Sequence, residues 1–189
     1  MSERYPAEGR PPIIGTVGHS NRSLEEFLAL LAEDRIEAVV DVRKLAGSAR
    51  YPHFDADVLG PELSTRGIEF LRFEALTGRR PVSRTVPFEV NAWWENRSFH
   101  NYADHALSGD FRSALYELRA VGMERRTTVM CAEAVWWRCH RRIIADHLIA
   151  TGCEVRHRLG PERTAPAALS AGAVVGEDCS VSYPAASNG

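Results

Sequence analysis

Short β-prone runs alternate with stretches of helical character along most of this chain, and that alternation restricts the fold more than any other feature. Ile13-Ile14-Gly15-Thr16-Val17 reads as a buried strand, followed by a turn at Gly18-His19-Ser20-Asn21. Ser23 then caps a helix to about residue 34, and Glu26, three positions on, completes a capping box. Ala38-Val39-Val40-Asp41-Val42-Arg43 is a second strand, residues 55–66 a helix stopping before Gly67, and Ile68-Glu69-Phe70-Leu71-Arg72-Phe73 a third strand. Helices over 102–106 and 110–121 lead to the strand Thr127-Thr128-Val129-Met130-Cys131. A helix over 137–151, closed by Gly152, precedes the last strand, residues 154–159.

Strands separated by helices cannot pair as hairpins, so they must lie parallel with helices on both faces. The expected architecture is a single α/β domain of three layers with a mostly parallel sheet, flavodoxin-like or rhodanese-like. The 189 residues leave room for one core. The domain is expected over 13–160, with a flexible N-terminal arm over 1–12 and a flexible tail, rich in Ala, Ser, Gly and Pro, over 161–189. The segment 77–101 has no sustained period, carries Trp93 and Trp94, and reads as a long insertion or lid.

No apolar run approaches the roughly 20 residues that cross a bilayer, and the first twelve residues lack the hydrophobic centre of a signal peptide, so a cytoplasmic location is expected. A net charge of −2 argues against a general nucleic-acid surface. Lys44 is the sole lysine among otherwise Arg side chains, whose planar forks suit local carboxylate or phosphate sites. Four cysteines without export signals read as thiols or metal ligands rather than disulfides.

Ligands of parallel sheets bind beyond the carboxyl ends of the strands. The polar residues expected to converge there are His19, Ser20 and Asn21, Asp41 and Arg43, Glu74, and Cys131 with Glu133. In the helix after Cys131, Ile144 and Leu148 mark the buried stripe, which turns Cys139 and His140 inward near the helix N-terminus. Arg142 and Asp146 then form an exposed i, i+4 pair. A thiolate at that terminus would be stabilised.

Three chemistries compete at this edge. Cys131 can be a nucleophile activated by the helix terminus and Arg138, with Glu133 or His140 moving protons. That layout is similar to rhodaneses and Cys phosphatases, but 132–137 is longer, bulkier and more acidic than their active loops. Cys131, Cys139 and His140, with His19 as a further candidate, can instead hold Zn or Fe. Alternatively Glu133 serves glycosyl transfer on a nucleotide, Arg141 and His19 holding phosphate and Trp136 stacking on the base. Plainer roles stand beside each: Cys131 as a small core side chain, Asp41 and Arg43 as a structural ion pair, Trp136 and Trp137 as packing. Cys153 and Cys179 read as core and tail cysteines, and His105, His147 and His157 as packing or surface residues.

Four separated motifs occur in order: residues 14–21, Val40-Asp41-Val42-Arg43, Ser98-Phe99-His100-Asn101-Tyr102-Ala103-Asp104, and Met130-Cys131-Ala132-Glu133 through Arg138-Cys139-His140-Arg141. In these the chain resembles the bacterial family catalogued as domain of unknown function 488, over about residues 13–160. The resemblance implies a small cytosolic α/β protein marked by Cys-x-Glu and Cys-His-Arg, and carries over His19, Ser20, Asn21, Asp41, Arg43, Cys131, Glu133, Cys139, His140 and Arg141. Trp136-Trp137 departs from the family's single Trp preceded by Pro. The leading expectation is an enzyme acting on a small anionic or nucleotide-like substrate. Cys131, Glu133 and His140 are its chemical residues; His19, Ser20, Asn21, Asp41, Arg43, Trp136, Arg138 and Arg141 bind the substrate. The alternatives are a metal or cofactor-binding protein and a noncatalytic nucleic-acid or protein interaction module.

Overall fold

The apolar runs pair side by side in the computed structural model, which describes residues 11–47 and 49–185. Strands β1 (Ile13–Gly18), β2 (Ala38–Asp41), β3 (Glu69–Arg72), β4 (Thr127–Cys131) and β5 (Glu154–Gly160) are parallel, and β6 (Arg163–Pro166) adds antiparallel to β5. The sheet order is β3-β2-β4-β1-β5-β6. The expected α/β class holds. Within it, β4 inserts between β2 and β1, unlike the 2-1-3-4-5 order of flavodoxin-like sheets.

Period-two alternation in the strands divides the core into two layers. Val17, Val39 and Met130 face α1 (Leu24–Glu33) and α2 (Ala56–Ser64), whose Phe27, Leu30, Leu31, Leu59 and Leu63 cover them. Ile14, Val40, Val129 and Cys131 face α3 (Arg97–Ala106), α4 (Gly109–Glu124) and α5 (Arg141–Ala150). The capping box forms as expected: the Ser23 hydroxyl accepts the Glu26 N–H at 3.1 Å, and Glu26 accepts the Ser23 N–H at 2.7 Å.

Four local expectations change. The helix expected over 137–151 begins only at Arg141, because Trp136–Arg138 winds as a 3-10 turn and Cys139 is extended (φ −127°, ψ 148°). Trp136 stacks on His157 of β5, which holds that turn out of the helix. The helix expected from 102 starts at Arg97, capped by the Asn96 side chain accepting the Ser98 and Phe99 N–H groups. Asp146 is not exposed but 1% accessible, and it accepts hydrogen bonds from Ser170 N–H (2.9 Å) and Tyr183 O–H (2.7 Å). Its supposed partner Arg142 lies half-buried over the rings of Trp93 and Trp94.

Those partners of Asp146 come from the stretch expected to be a loose tail. Beyond β6 it carries the hairpin of β7 (Val174–Val175) and β8 (Val181–Ser182), and Tyr183 is fully buried. Of the expected arm, residues 1–10 lie outside the described residues, as do 186–189 of the tail.

Buried imidazoles set a pH dependence. Burial lowers His147 to about 3, with the Arg112 charge adding to the effect, and lowers His157 to about 4. Unfolded, each titrates near pH 6.5. Above that pH both states are neutral and their contribution to stability is complete. Below it the unfolded chain takes up protons that the fold refuses, so stability falls from pH 6.5 towards 4. His147→Leu removes the most strongly shifted of these groups, whose Nε2 has no partner among the described residues. Urea unfolding of this variant is expected to show it gaining roughly 1–2 kcal/mol on the parent between pH 7 and pH 5.

Candidate functional site

The turns after β1 and β4 remain paired beyond the sheet. His19 N–H donates to Cys131 O and Ser20 N–H to Ala132 O, both at 2.9 Å. Their contact is so close that a Cβ on Gly18 would lie 1.8 Å from Glu133 O. From below, the buried Arg141 guanidinium donates to the same Glu133 carbonyl. These bonds fix Cys131 at the end of β4 and bring the Cys139 turn beside it.

The two sulfurs of Cys131 and Cys139 touch at 3.2 Å, and Cys139 Sγ lies 3.6 Å from His140 Nδ1. His140 Nε2 is 3.0 Å from Val42 O. A carbonyl only accepts, so Nε2 carries the proton and Nδ1 presents its lone pair to the sulfur side. Tyr102 packs on the imidazole at 4.9 Å and donates to Leu76 O at 2.7 Å. Gly78 sits tightly against the ring, since a Cβ there would be 2.8 Å from His140 Nδ1.

Charge within this cluster is distributed unevenly. Burial opposes ionisation of Cys139, but the neighbouring Cys131 thiol together with the Arg141 charge, backbone N–H (3.5 Å) and Nε–H (3.4 Å) brings it down to about 6. Cys131 is pushed well up by its hydrogen bond with Cys139 and by burial. Negative charge therefore settles on Cys139. Burial lowers His140, which stays neutral.

Behind the cluster stands a second buried set. Arg43 grips Asp41 with two parallel bonds, Nε to Oδ1 at 2.9 Å and Nη2 to Oδ2 at 2.8 Å, at 5% and 0% exposure. Its Nη1 lies 3.4 Å from His19 Nε2, and His19 stacks on Phe54 at 4.1 Å. Burial lowers His19 to about 4, so it meets Arg43 as a neutral ring.

A cleft of about 340 Å³ opens over the cluster. Cys131, Cys139 and His140 line it together with Ala132, Glu133, Arg43 and Arg138. Lys44, Leu45, Gly78, Arg79, Ser98, Phe99 and Tyr102 complete the lining. Lys44, Arg79 and Arg138 are exposed cations, whereas Glu133 is the one carboxylate lining the cleft among the described residues.

The other expected site residues lie elsewhere. His19, Asp41 and Arg141 support the cleft from behind without lining it. Ser20 donates to Asn21 at 3.2 Å, outside the cleft, and Asn21 is exposed. Glu74 is exposed and pairs with Arg72, so it does not converge with the rest. Trp136 is occupied by His157, ring centres 4.2 Å apart and planes 8° apart, while His157 Nδ1 meets Thr16 Oγ1 at 2.7 Å. Lys44 and the Gly78-Arg79 wall were not among the expected site residues; for the wall, a glycine followed by arginines in a segment without period is the available signal.

Fold and site together define a single α/β domain with two buried cysteines and a half-buried histidine clustered beneath a cationic cleft at the carboxyl edge of its sheet. No helix among the described residues is long and apolar enough to cross a membrane. The chain belongs to the family described as Domain of unknown function DUF488, whose model matches residues 23–148. No curated protein and no solved structure matches it.

Proposed function

We propose that the cleft binds a small anionic substrate and that the protein is an enzyme whose chemistry is supplied by Cys131, Cys139 and His140, with Glu133 as the proton-transferring carboxylate. The observation carrying this reading is the set of exposed Lys44, Arg79 and Arg138 lining the cleft with two buried sulfurs and the half-buried imidazole of His140. Its volume falls within the roughly 300–1,000 Å³ of small-molecule sites. Phe99 and Tyr102 offer an apolar wall. Trp136 stacks on His157 and does not line the cleft, which favours a compact anion over a nucleotide there. Arg43 has its charge matched by Asp41, so the exposed cations are the ones to hold the ligand.

Inorganic phosphate is a suitable probe. Calorimetric titration at low ionic strength is expected to show binding that weakens about tenfold, or 1.4 kcal/mol, in Arg79→Ala/Arg138→Ala. Equal affinities in parent and double variant, or no binding by the parent, overturn the reading.

A further inference from the structure

We propose that Cys131, Cys139 and His140 hold a zinc-class divalent ion whose fourth coordination position opens into the anionic cleft. This deepens the reading of the cleft as a working site, while metal capture itself requires only the three side chains. Their ligand atoms all lie within 4.8 Å of one another. Two thiolates and a neutral imidazole form a donor set that suits zinc.

The geometry can be compared with that of a tetrahedral ion. Bonds of roughly 2.3 Å to sulfur and 2.0–2.1 Å to nitrogen put a sulfur and a nitrogen ligand about 3.6 Å apart and two sulfur ligands about 3.8 Å apart. Cys139 Sγ and His140 Nδ1 stand at 3.6 Å, and the two sulfurs at 3.2 Å. Admitting an ion thus requires the sulfurs to part by about 0.6 Å, while the Cys139–His140 spacing already fits and the Cys131 sulfur lies within 4.8 Å of the imidazole ligand atom.

The surroundings are those of held ligands. A ligating imidazole commonly donates its other N–H to a carbonyl or carboxylate, which fixes the tautomer. His140 Nε2 does this with Val42 O at 3.0 Å and keeps Nδ1 free to coordinate. Cys139 Sγ receives N–H groups from the Arg141 backbone and guanidinium, as a ligating thiolate would. Gly78 leaves the space beside Nδ1 clear of a side chain. Since all three residues line the cleft, the remaining position faces it, available to water or to the anionic group of the substrate. On metal entry the proton that the sulfur pair still holds passes to solvent and the two sulfurs bind as thiolates.

The test is a cobalt(II) titration of the full chain, stripped of metal and kept reduced with a phosphine, without added anion. One equivalent should bind, with a thiolate-to-cobalt charge-transfer band and the visible bands of a tetrahedral ion. Cys139→Ser should weaken binding at least tenfold and diminish the charge-transfer band, and His140→Ala should weaken binding similarly while both sulfurs still contribute. Circular dichroism checks that each variant folds. Gly78→Ala is a second route that leaves every ligand in place: its methyl crowds Nδ1 and should weaken cobalt binding as well. Cys153→Ala and Cys179→Ala should change nothing. Absence of cobalt binding, binding without the charge-transfer band, or loss of the band in Cys153→Ala or Cys179→Ala overturns the proposal. Phosphate titration of the metal-free chain keeps the two readings separable. Cobalt binding without phosphate binding leaves the metal centre standing and removes the anion cleft, and the reverse result removes only the metal.

Discussion

Asp41→Ala is expected to lower the unfolding free energy by about 3–5 kcal/mol, the range for breaking a buried ion pair from one side. The Arg43 guanidinium is 5% exposed, and the described residues give its Nε–H and Nη2 donors no acceptor but Asp41. Without that carboxylate a full positive charge stays in the protein beside His19, whose neutral ring cannot balance it. The Arg43 backbone N–H also loses its acceptor, Asp41 Oδ1 at 3.0 Å. Asp41→Ala/Arg43→Met should recover most of the loss, because an apolar pair of similar bulk leaves no charge unmatched. Urea unfolding of the parent, both single variants and the double closes the cycle. A loss below about 1 kcal/mol for Asp41→Ala would mean that water reaches Arg43.

Gly18→Ala should cost about 3 kcal/mol, the upper end of ordinary overpacking. The added methyl would meet Glu133 O at 1.8 Å, the carbonyl carbon at 2.6 Å and Ala134 Cα at 3.0 Å. All three belong to backbone, so no rotamer change relieves them. The turns after β1 and β4 must separate, breaking the bonds from His19 and Ser20 to Cys131 and Ala132. Phosphate affinity should therefore fall together with stability, since the displaced loop leads into the turn that presents Arg138 to the cleft. Gly109→Ala is the control: nothing lies within 4 Å of its added methyl, and it should leave both measurements unchanged within about 0.5 kcal/mol. A Gly18→Ala protein as stable as this control would disprove the tight apposition.

Sequence pattern revealed what is local. The Ser23 and Glu26 box, the strand alternation that sends Val39 and Val40 to opposite layers, and the polar ends of β1, β2 and β4 all follow from neighbours a few residues apart. Cys139 and His140 were expected to meet Cys131 through the phase of one continuous helix. They do meet, but Cys139 reaches the site from an extended residue ahead of α5. The insertion of β4 between β2 and β1 depends on pairing across the whole sheet, which no window of sequence expresses. Asp146 was misread for a related reason, because the groups that bury it, Ser170 and Tyr183, lie 24 and 37 positions away. The tail misled through its average composition, since two buried side chains, Val181 and Tyr183, do much of its anchoring.

Tyr183 links distant parts of the chain. Its backbone N–H reaches Val90 O at 3.1 Å and Asn91 Oδ1 at 3.0 Å, its carbonyl accepts the Trp93 N–H at 2.9 Å, and its hydroxyl holds Asp146 on α5. The segment that places Gly78, Arg79 and Phe99 in the cleft wall is thereby cross-braced to the helix that begins beside the cysteines. The cleft wall and the β7–β8 hairpin are consequently coupled mechanically. A change near residue 183 can act at the cleft as a loosened wall, at a distance that its position in the sequence would never suggest.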